Sequence, residues 1–342
     1  MQKITNPELY RTGLKYFELD EITKAILKPI IAGDDKAEDF ESALRVDQHL
    51  SRKIIFAANQ QLKNGAVQSI AHAVVLIGKN RVRDYIFSNH ILNFLPKVEE
   101  PQKSTGQKIV GSPNFLKRAD ETENFSKKLG GDFAGSAWVA GFLFDIIENL
   151  ITLHPQKDYL LAFFQEEWSH ALRTAGLAFH IANISKLSAS ICRQAFLAGI
   201  SHDIGRLLLC ISYPNECSQM FAEFSQLRAT HQWTFESEIE IEKKYFISSH
   251  CELSSLLLGM IDAMSEIEEI AHYHHKLGLL RSRGGRLLPV ADCLHLADEL
   301  AEKLSQNTGH EHEQISAILK KNNGSLKIEI AVLIEKMKSL KI

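Results

Sequence analysis

The sequence lacks an excess charge of one sign, a CxxC pair, a bilayer-length apolar run and any clear hairpin signal, and each absence excludes a class of protein. Its 342 residues carry 39 Lys and Arg against 42 Asp and Glu, a formal net charge of −3. The basic footprint of a nonspecific nucleic-acid binder is therefore missing, and no nucleic acid is expected as a partner. Cys192, Cys210, Cys217, Cys251 and Cys293 are odd in number and mostly sit in apolar helical stretches. They read as reduced core thiols, which points to a reducing, cytoplasmic compartment. No stretch approaches ~18 uninterrupted apolar residues, and the opening Met1 to Pro7 has no apolar signal core, so neither a membrane span nor a secretory leader is expected. β-branched alternation is scarce, and no Asn-Gly turn joins alternating runs. The expected class is all-α.

What is present is enough apolar material, 45% of residues, for one large or two medium cores. Apolar positions recur at helical spacing in Ile22, Ile26, Leu27 and Ile30, then Leu50, Ile54 and Ile55, then Val74, Val75 and Ile77, with Gly33, Gly65 and Gly78 between the runs. From Pro96 to Gly131 the composition turns to Pro, Lys, Glu, Ser and Thr, as in a linker or long surface loop. The expected division is an N-terminal helical subdomain at 1–95, a linker or surface loop at 96–136, a helical bundle at 137–304 and a C-terminal helical extension at 305–342, with a last helix over 325–340. One internal echo stands out: Ala137-Trp-Val-Ala-Gly-Phe-Leu-Phe-Asp145-Ile lines up with Ala195-Phe-Leu-Ala-Gly-Ile-Ser-His-Asp203-Ile, each followed by an apolar run and a proline, Pro155 and Pro214. A degenerate duplication or two amphipathic helices of ordinary composition would both produce it. In a duplication, Phe144 stands where the other copy has His202, and that copy cannot bind metal.

The residues with chemistry in them are histidines and carboxylates. Adjacent His202 and Asp203 on a helix lie about 100° apart and reach one ion only over the edge between them. Glu166 and His170 are four apart, hence on one helical face. His250 opens a helix with Ser248 or Ser249 as cap, His274 and His275 close another, and Asp292 and Asp298 lie on the apolar helix that follows. A lone buried histidine is ordinarily a hydrogen-bonded core residue, but this many in such contexts argue for a shared centre. The mixed imidazole and carboxylate set suits one or two ions of Fe, Mn, Zn or Ni. Two divalent ions about 3.5–4 Å apart, bridged by an aspartate and a water, would activate that water and clamp phosphate oxygens.

Other features read as structural. Arg281, Arg283 and Arg286 beside Gly284 and Gly285 form a solvated loop, with a phosphate-receiving role as the alternative. Lys79, Arg81 and Arg83 make a small solvent-facing patch, the acidic run Glu236 to Glu242 marks an exposed helical face, and Trp138 and Trp168 anchor the core.

Several stretches resemble the HD superfamily of metal-dependent phosphohydrolases, and within it the HDOD branch of bacterial signalling proteins. They are Trp168-Ser-His170, Ala195 through His202-Asp203-Ile-Gly-Arg206 to Leu209, His250-Cys-Glu-Leu, Tyr273-His274-His275 and Leu294-His-Leu-Ala-Asp298. In the N-terminal half, Asp47-Gln-His-Leu50, Ala57-Ala-Asn59 and the segment ending in Gly78 are also similar, so the resemblance covers about residues 17–304. It implies an all-α, multi-helical HD-like bundle with an N-terminal helical subdomain. It implies that His170, His202, Asp203 and Asp298 hold one metal, with Glu166, His250, His274 and His275 as further ligands. Asp292 competes with Asp298, which fits the HDOD spacing better. The departures are specific. Arg206 stands where the phosphodiesterase branch has lysine, no Gly-Tyr-Pro follows His275, and Gln48 replaces a usual proline. Arginine keeps the charge but cannot give up a proton.

The resemblance therefore implies a regulatory signal-transduction protein, docking signalling proteins or sensing an effector with a retained metal-ligand set. The alternative is a phosphohydrolase acting on a nucleotide or cyclic dinucleotide, with Asp203 and Arg206 as catalytic residues. A di-iron oxidase using the same ligands is the weaker third reading.

Overall fold

The structure, a computed structural model, describes residues 14–32, 36–60, 62, 66–92, 116–230, 232, 234–261, 264–283 and 285–305, with isolated positions at 316–318, 332–333 and 336. Among the described residues there are sixteen α-helices and no strand, so the fold is all-helical as the pattern predicts. The chain divides into two compact units, Tyr16–Leu150 and Ile151–Ile342 together with Met1–Lys15.

The first unit contains α1 (Glu21–Ala32), α2 (Ala37–Leu44), α3 (Gln48–Asn59), α4 (Ile70–Ile77), α5 (Lys79–Leu92), α6 (Lys117–Lys128) and most of α7 (Ala134–Thr152). Ile26, Leu44, Ile54, Val74 and Phe87 form its core, each 1% exposed or less. The similar residues of this half have local duties. Asp47 caps α3 by accepting from the backbone N–H groups of His49 and Leu50 at 2.8 and 3.0 Å, which supplies acceptors for two orphan helix donors. Asn59 clasps Val67, accepting from its N–H at 2.6 Å and donating to its carbonyl at 3.1 Å. Gly78 ends α4 at a φ of 90°, where a side chain would be strained.

Two expectations for this region are corrected. Residues 117–128 of the supposed linker are helix α6, and the division between units falls after Leu150, whereas a bundle starting at 137 was expected. The cause is packing. The Phe87 ring lies edge-on at 4.7 Å to both Trp138 and Phe142 of α7, and Asp145 of α7 accepts from the N–H groups of Arg118 and Ala119 at the start of α6. Arg83 was expected in solvent but is buried over the Trp138 ring, 4.1 Å from its centroid, and pairs with Glu123 at 3.3 Å. The C-terminal extension and its helix at 325–340 lie outside the described residues, apart from the isolated positions.

The second unit contains α8 (Lys157–Ile184), α9 (Ala189–Ser201), α10 (Ile204–Ser212), α11 (Pro214–Ala229), α12 (Phe235–Tyr245), α13 (His250–Gly259), α14 (Ser265–Tyr273), α15 (Leu277–Arg283) and α16 (Leu288–Ser305). α8 packs on α9 and α16, while α13 packs on α10 and α14. Gly199 lets α9 approach α8, since a Cβ there would strike the backbone of Ala175, and Gly205 does the same for α10, where it would meet the His250 carbonyl and the Ser254 amide. Ser254 Oγ in turn accepts from Gly205 N at 2.9 Å. These crossings set His202 and Asp203 beside α8 and α13. Among the described residues two stretches, Ala134–Thr152 and Ala189–Ser212, are long and apolar enough to cross a membrane, and 78% and 89% of an apolar 18-residue window in each is buried by packing, as in core helices.

Candidate metal centre

His202 and Asp203 interrupt the helical run between α9 and α10. Asp203, at φ −103° and ψ 7°, occupies the sparsely populated bridge region. The turn aims both side chains into the middle of the second unit. His170 comes from α8, His250 from the first turn of α13, His274 and His275 from the end of α14 and Asp298 from α16. His250, His274, His202 and Asp298 are all at most 4% exposed.

Backbone and carboxylate acceptors fix which ring nitrogen each histidine presents. Nδ1 of His202 lies 3.0 Å from the Gly199 carbonyl, Nδ1 of His274 lies 2.6 Å from the Ala271 carbonyl, and Nδ1 of His250 lies 2.6 Å from Glu242 Oε1. With Nδ1–H donating in each, Nε2 is left as a lone-pair donor, the arrangement typical of metal-bound histidine. The Nε2 atoms converge on the two aspartates. Asp203 Oδ1 is 3.1 Å from His250 Nε2 and 3.3 Å from His274 Nε2. Asp298 Oδ1 is 3.1 Å from His170 Nε2 and 3.6 Å from His202 Nε2.

These approaches are close but poorly directed for hydrogen bonding: His202 Nε2 and Asp203 Oδ1 are buried with no hydrogen-bond partner. Orphaned lone pairs facing one space at such separations fit a cation and would otherwise be costly. The donors fall into overlapping groups, among them His170 with His202 and Asp298, and His202 with Asp203 and His274, each within 4.8 Å. His170, His202, Asp203 and Asp298 would hold one ion, and His250 and His274 would hold a second that shares Asp203.

The electrostatics match an anionic cradle. Burial alone would raise the Asp203 carboxyl, but the Arg206 guanidinium, with His202 and His250 in their protonated form, holds it well below the ordinary range. Asp298 is likewise held well below it, against burial, by His170 and His202. Burial lowers His275, and the neighbouring His274 and His250 push it further down. Both nitrogens of that ring lack a hydrogen-bond partner, and it stacks on Phe235 at 4.5 Å.

Arg206 is buried and ringed by three carboxylates, Glu238 at 2.6 Å, Asp203 at 3.2 Å and Glu167 at 3.6 Å. Above the centre opens a cleft of about 590 Å³, with His170, Asp203, Asp298 and His275 on its wall and Arg173, Arg228 and Glu302 around them.

Several sequence expectations change here. Glu166 is exposed on the cleft rim and joins none of the donor groups, and its neighbour Glu167 is the one turned to Arg206. Asp292 pairs with Arg281 at 2.8 Å and also joins none of the groups, leaving Asp298 as the aspartate of α16 beside the histidines. Ser249 is the cap of α13, in a reciprocal arrangement with Glu252. The acidic run is exposed only in part: Glu236 and Glu240 face solvent, whereas Glu238 and Glu242 are 2% and 0% exposed. Glu242 accepts from both the backbone N–H and the ring of His250. Their four-residue spacing on α12, in step with the buried Ile241 and Tyr245, is the signal that could have revealed them.

Residues 149–277 match the family model described as HDOD domain. A comparison with curated proteins returns no match. Among solved structures, a candidate phosphohydrolase from Shewanella amazonensis SB2B is 15% identical, with 98% of this chain and 95% of that chain covered at a TM-score of 0.48. An HDOD domain protein from Geobacter sulfurreducens is 16% identical, with 96% and 94% covered at 0.44. The MmoQ response regulator from Methylococcus capsulatus is 18% identical, with 93% and 97% covered at 0.37.

Proposed function

We propose that the chain is a bacterial signal-transduction protein of HDOD type that senses an effector in the cleft above its metal centre and passes the signal to a docked protein partner. The observation that carries this reading is the state of Arg206. A cation that neutralises a transferring phosphate must be free to meet it, and Arg206 is held by Asp203, Glu238 and Glu167. With Arg206 committed, the centre retains ligands while its nearest arginine is spent on cohesion. The ions, when bound, would supply Lewis acidity and tie α8, α10, α13, α14 and α16 together. Occupancy of the cleft would then act on the packing of those helices.

The second reading, a phosphohydrolase of nucleotides or cyclic dinucleotides, draws support from the cleft itself, whose wall includes His170, Asp203 and Asp298. One set of measurements separates the two. Full-length protein purified without chelator is assayed for metal, then for hydrolysis and for thermal stabilisation with a nucleotide and cyclic-dinucleotide panel. The expected result is stoichiometric metal, stabilisation by a subset of ligands and no sustained hydrolysis. Multiple turnover that vanishes in His202→Ala would overturn the signalling reading in favour of the hydrolase.

A further inference from the structure

Cys251 follows the ligand His250, and its sulfur faces the same space. We infer that Cys251 is a metal ligand which, with His250, His274 and His275, forms a sulfur-containing four-donor site suited to zinc, beside the aspartate-containing set of His170, His202 and Asp298. The inference rests on reading the cluster as a metal centre, and on neither the signalling nor the hydrolytic reading.

The four side chains are all buried, and one donor atom from each lies within 4.8 Å of the others. Cys251 Sγ is 3.4 Å from His250 Nε2, and His250 Nε2 is 3.4 Å from His274 Nε2. Zinc bonds of about 2.0–2.1 Å to nitrogen and about 2.3 Å to sulfur place tetrahedral donors about 3.3–3.6 Å apart. The observed separations match that edge.

The Cys251 thiol can donate to His250 Nε2, but hydrogen bonding does not account for the approach of the two imidazoles. His250 and His274 already commit Nδ1 to Glu242 and to the Ala271 carbonyl, so their Nε2 atoms meet lone pair to lone pair. His275 provides an independent indication: its ring is 8% exposed and neither nitrogen has a hydrogen-bond partner. An unpartnered ring nitrogen beside a thiol and two imidazoles is costly unless a cation takes it up.

The other four cysteines are free and buried, and among the described residues none of them joins a histidine group. Thiolate softness would favour zinc at this site over the harder ions that suit a carboxylate set. The two halves of the centre would then differ in metal preference.

The test uses the full chain loaded separately with Co²⁺ and Zn²⁺. An intense near-ultraviolet thiolate-to-cobalt band is expected, and X-ray absorption of the zinc form should require one sulfur at about 2.3 Å. Cys251→Ser should abolish the band and weaken one metal equivalent by more than about tenfold, since even an outer partner of a ligand is typically worth about 10–100-fold. The other equivalent should stay.

A metal-loaded wild type with only nitrogen and oxygen around zinc and no cobalt band overturns the inference and leaves the metal centre standing. The inference fails in the same way if Cys251→Ser keeps both equivalents and the band. Absence of metal from the wild type under either loading overturns the metal-centre reading as well. Should Cys251→Ser fail to fold, the wild-type absorption spectrum decides.

Discussion

Asp145 of the first unit and Asp203 of the second hold the ninth position of the same ten-residue pattern, and both are buried, at 0% and 7% exposed. Around Asp145 the helix runs on unbroken through α7, and the carboxylate accepts from the Arg118 and Ala119 N–H groups at 2.8 and 2.9 Å. Burial pushes its pKa well above the ordinary carboxylate range despite those donors. Around Asp203 the helix breaks, and the carboxylate meets imidazoles and Arg206, which hold its pKa well below that range. The contrast shows that a buried aspartate is defined by what surrounds it. One carboxylate ties a helix start in place, and the other is kept ionised among the histidines.

The comparison breaks most visibly at Arg206. Arg206→Met should destabilise the second unit by about 3–5 kcal/mol, because it leaves Asp203, Glu238 and Glu167 buried together without a cation. Denaturant unfolding monitored in that unit measures it. Asp145→Ala is expected to cost about 1–3 kcal/mol for each N–H it orphans at the start of α6, with metal content unchanged.

The pH dependence of Asp145 follows from its raised pKa. The unfolded chain releases this proton first, so the contribution to stability is greatest below about pH 4 and is lost as pH rises toward the higher folded value. Asp145→Asn, always neutral, should lack that slope, and unfolding midpoints across the window would show the wild type losing ground relative to it.

Glu242→Gln should weaken metal binding about 10–100-fold by loosening His250, read by competition with a metal indicator. Asp292→Asn weakens a pair with Arg281, whose side chain is 57% exposed, and should change stability by less than about 1 kcal/mol and metal content not at all. Loss of metal in Asp292→Asn would exchange the roles given to Asp292 and Asp298.

The all-helical class and the residues now found around one centre were legible because helical period and histidine context are local signals. His170, His202, Asp203, His250, His274, His275 and Asp298 each announce themselves by type. What stayed hidden was decided by tertiary packing. Glu166 and Glu167 differ by about 100° on a helix, and only the neighbouring Arg206 selects between them. Glu238 and Glu242 look like solvated charges until α12 is laid against α10 and α13. Cys251 reads as one more apolar residue until His274 is brought beside it. The unit boundary was misplaced because an aromatic cluster, Phe87 with Trp138 and Phe142, outweighs the proline-rich composition before it.

The donors that converge on Asp203 come from positions spread between His170 and Asp298. An ion held by them would pin together segments far apart along the chain, restricting the unfolded ensemble as a covalent cross-link does. It would also impose an order on maturation. No ion could be fully enclosed until α16 had been made and delivered Asp298, so capture of the metal would be a late event that reports the docking of α16 onto the helices made before it.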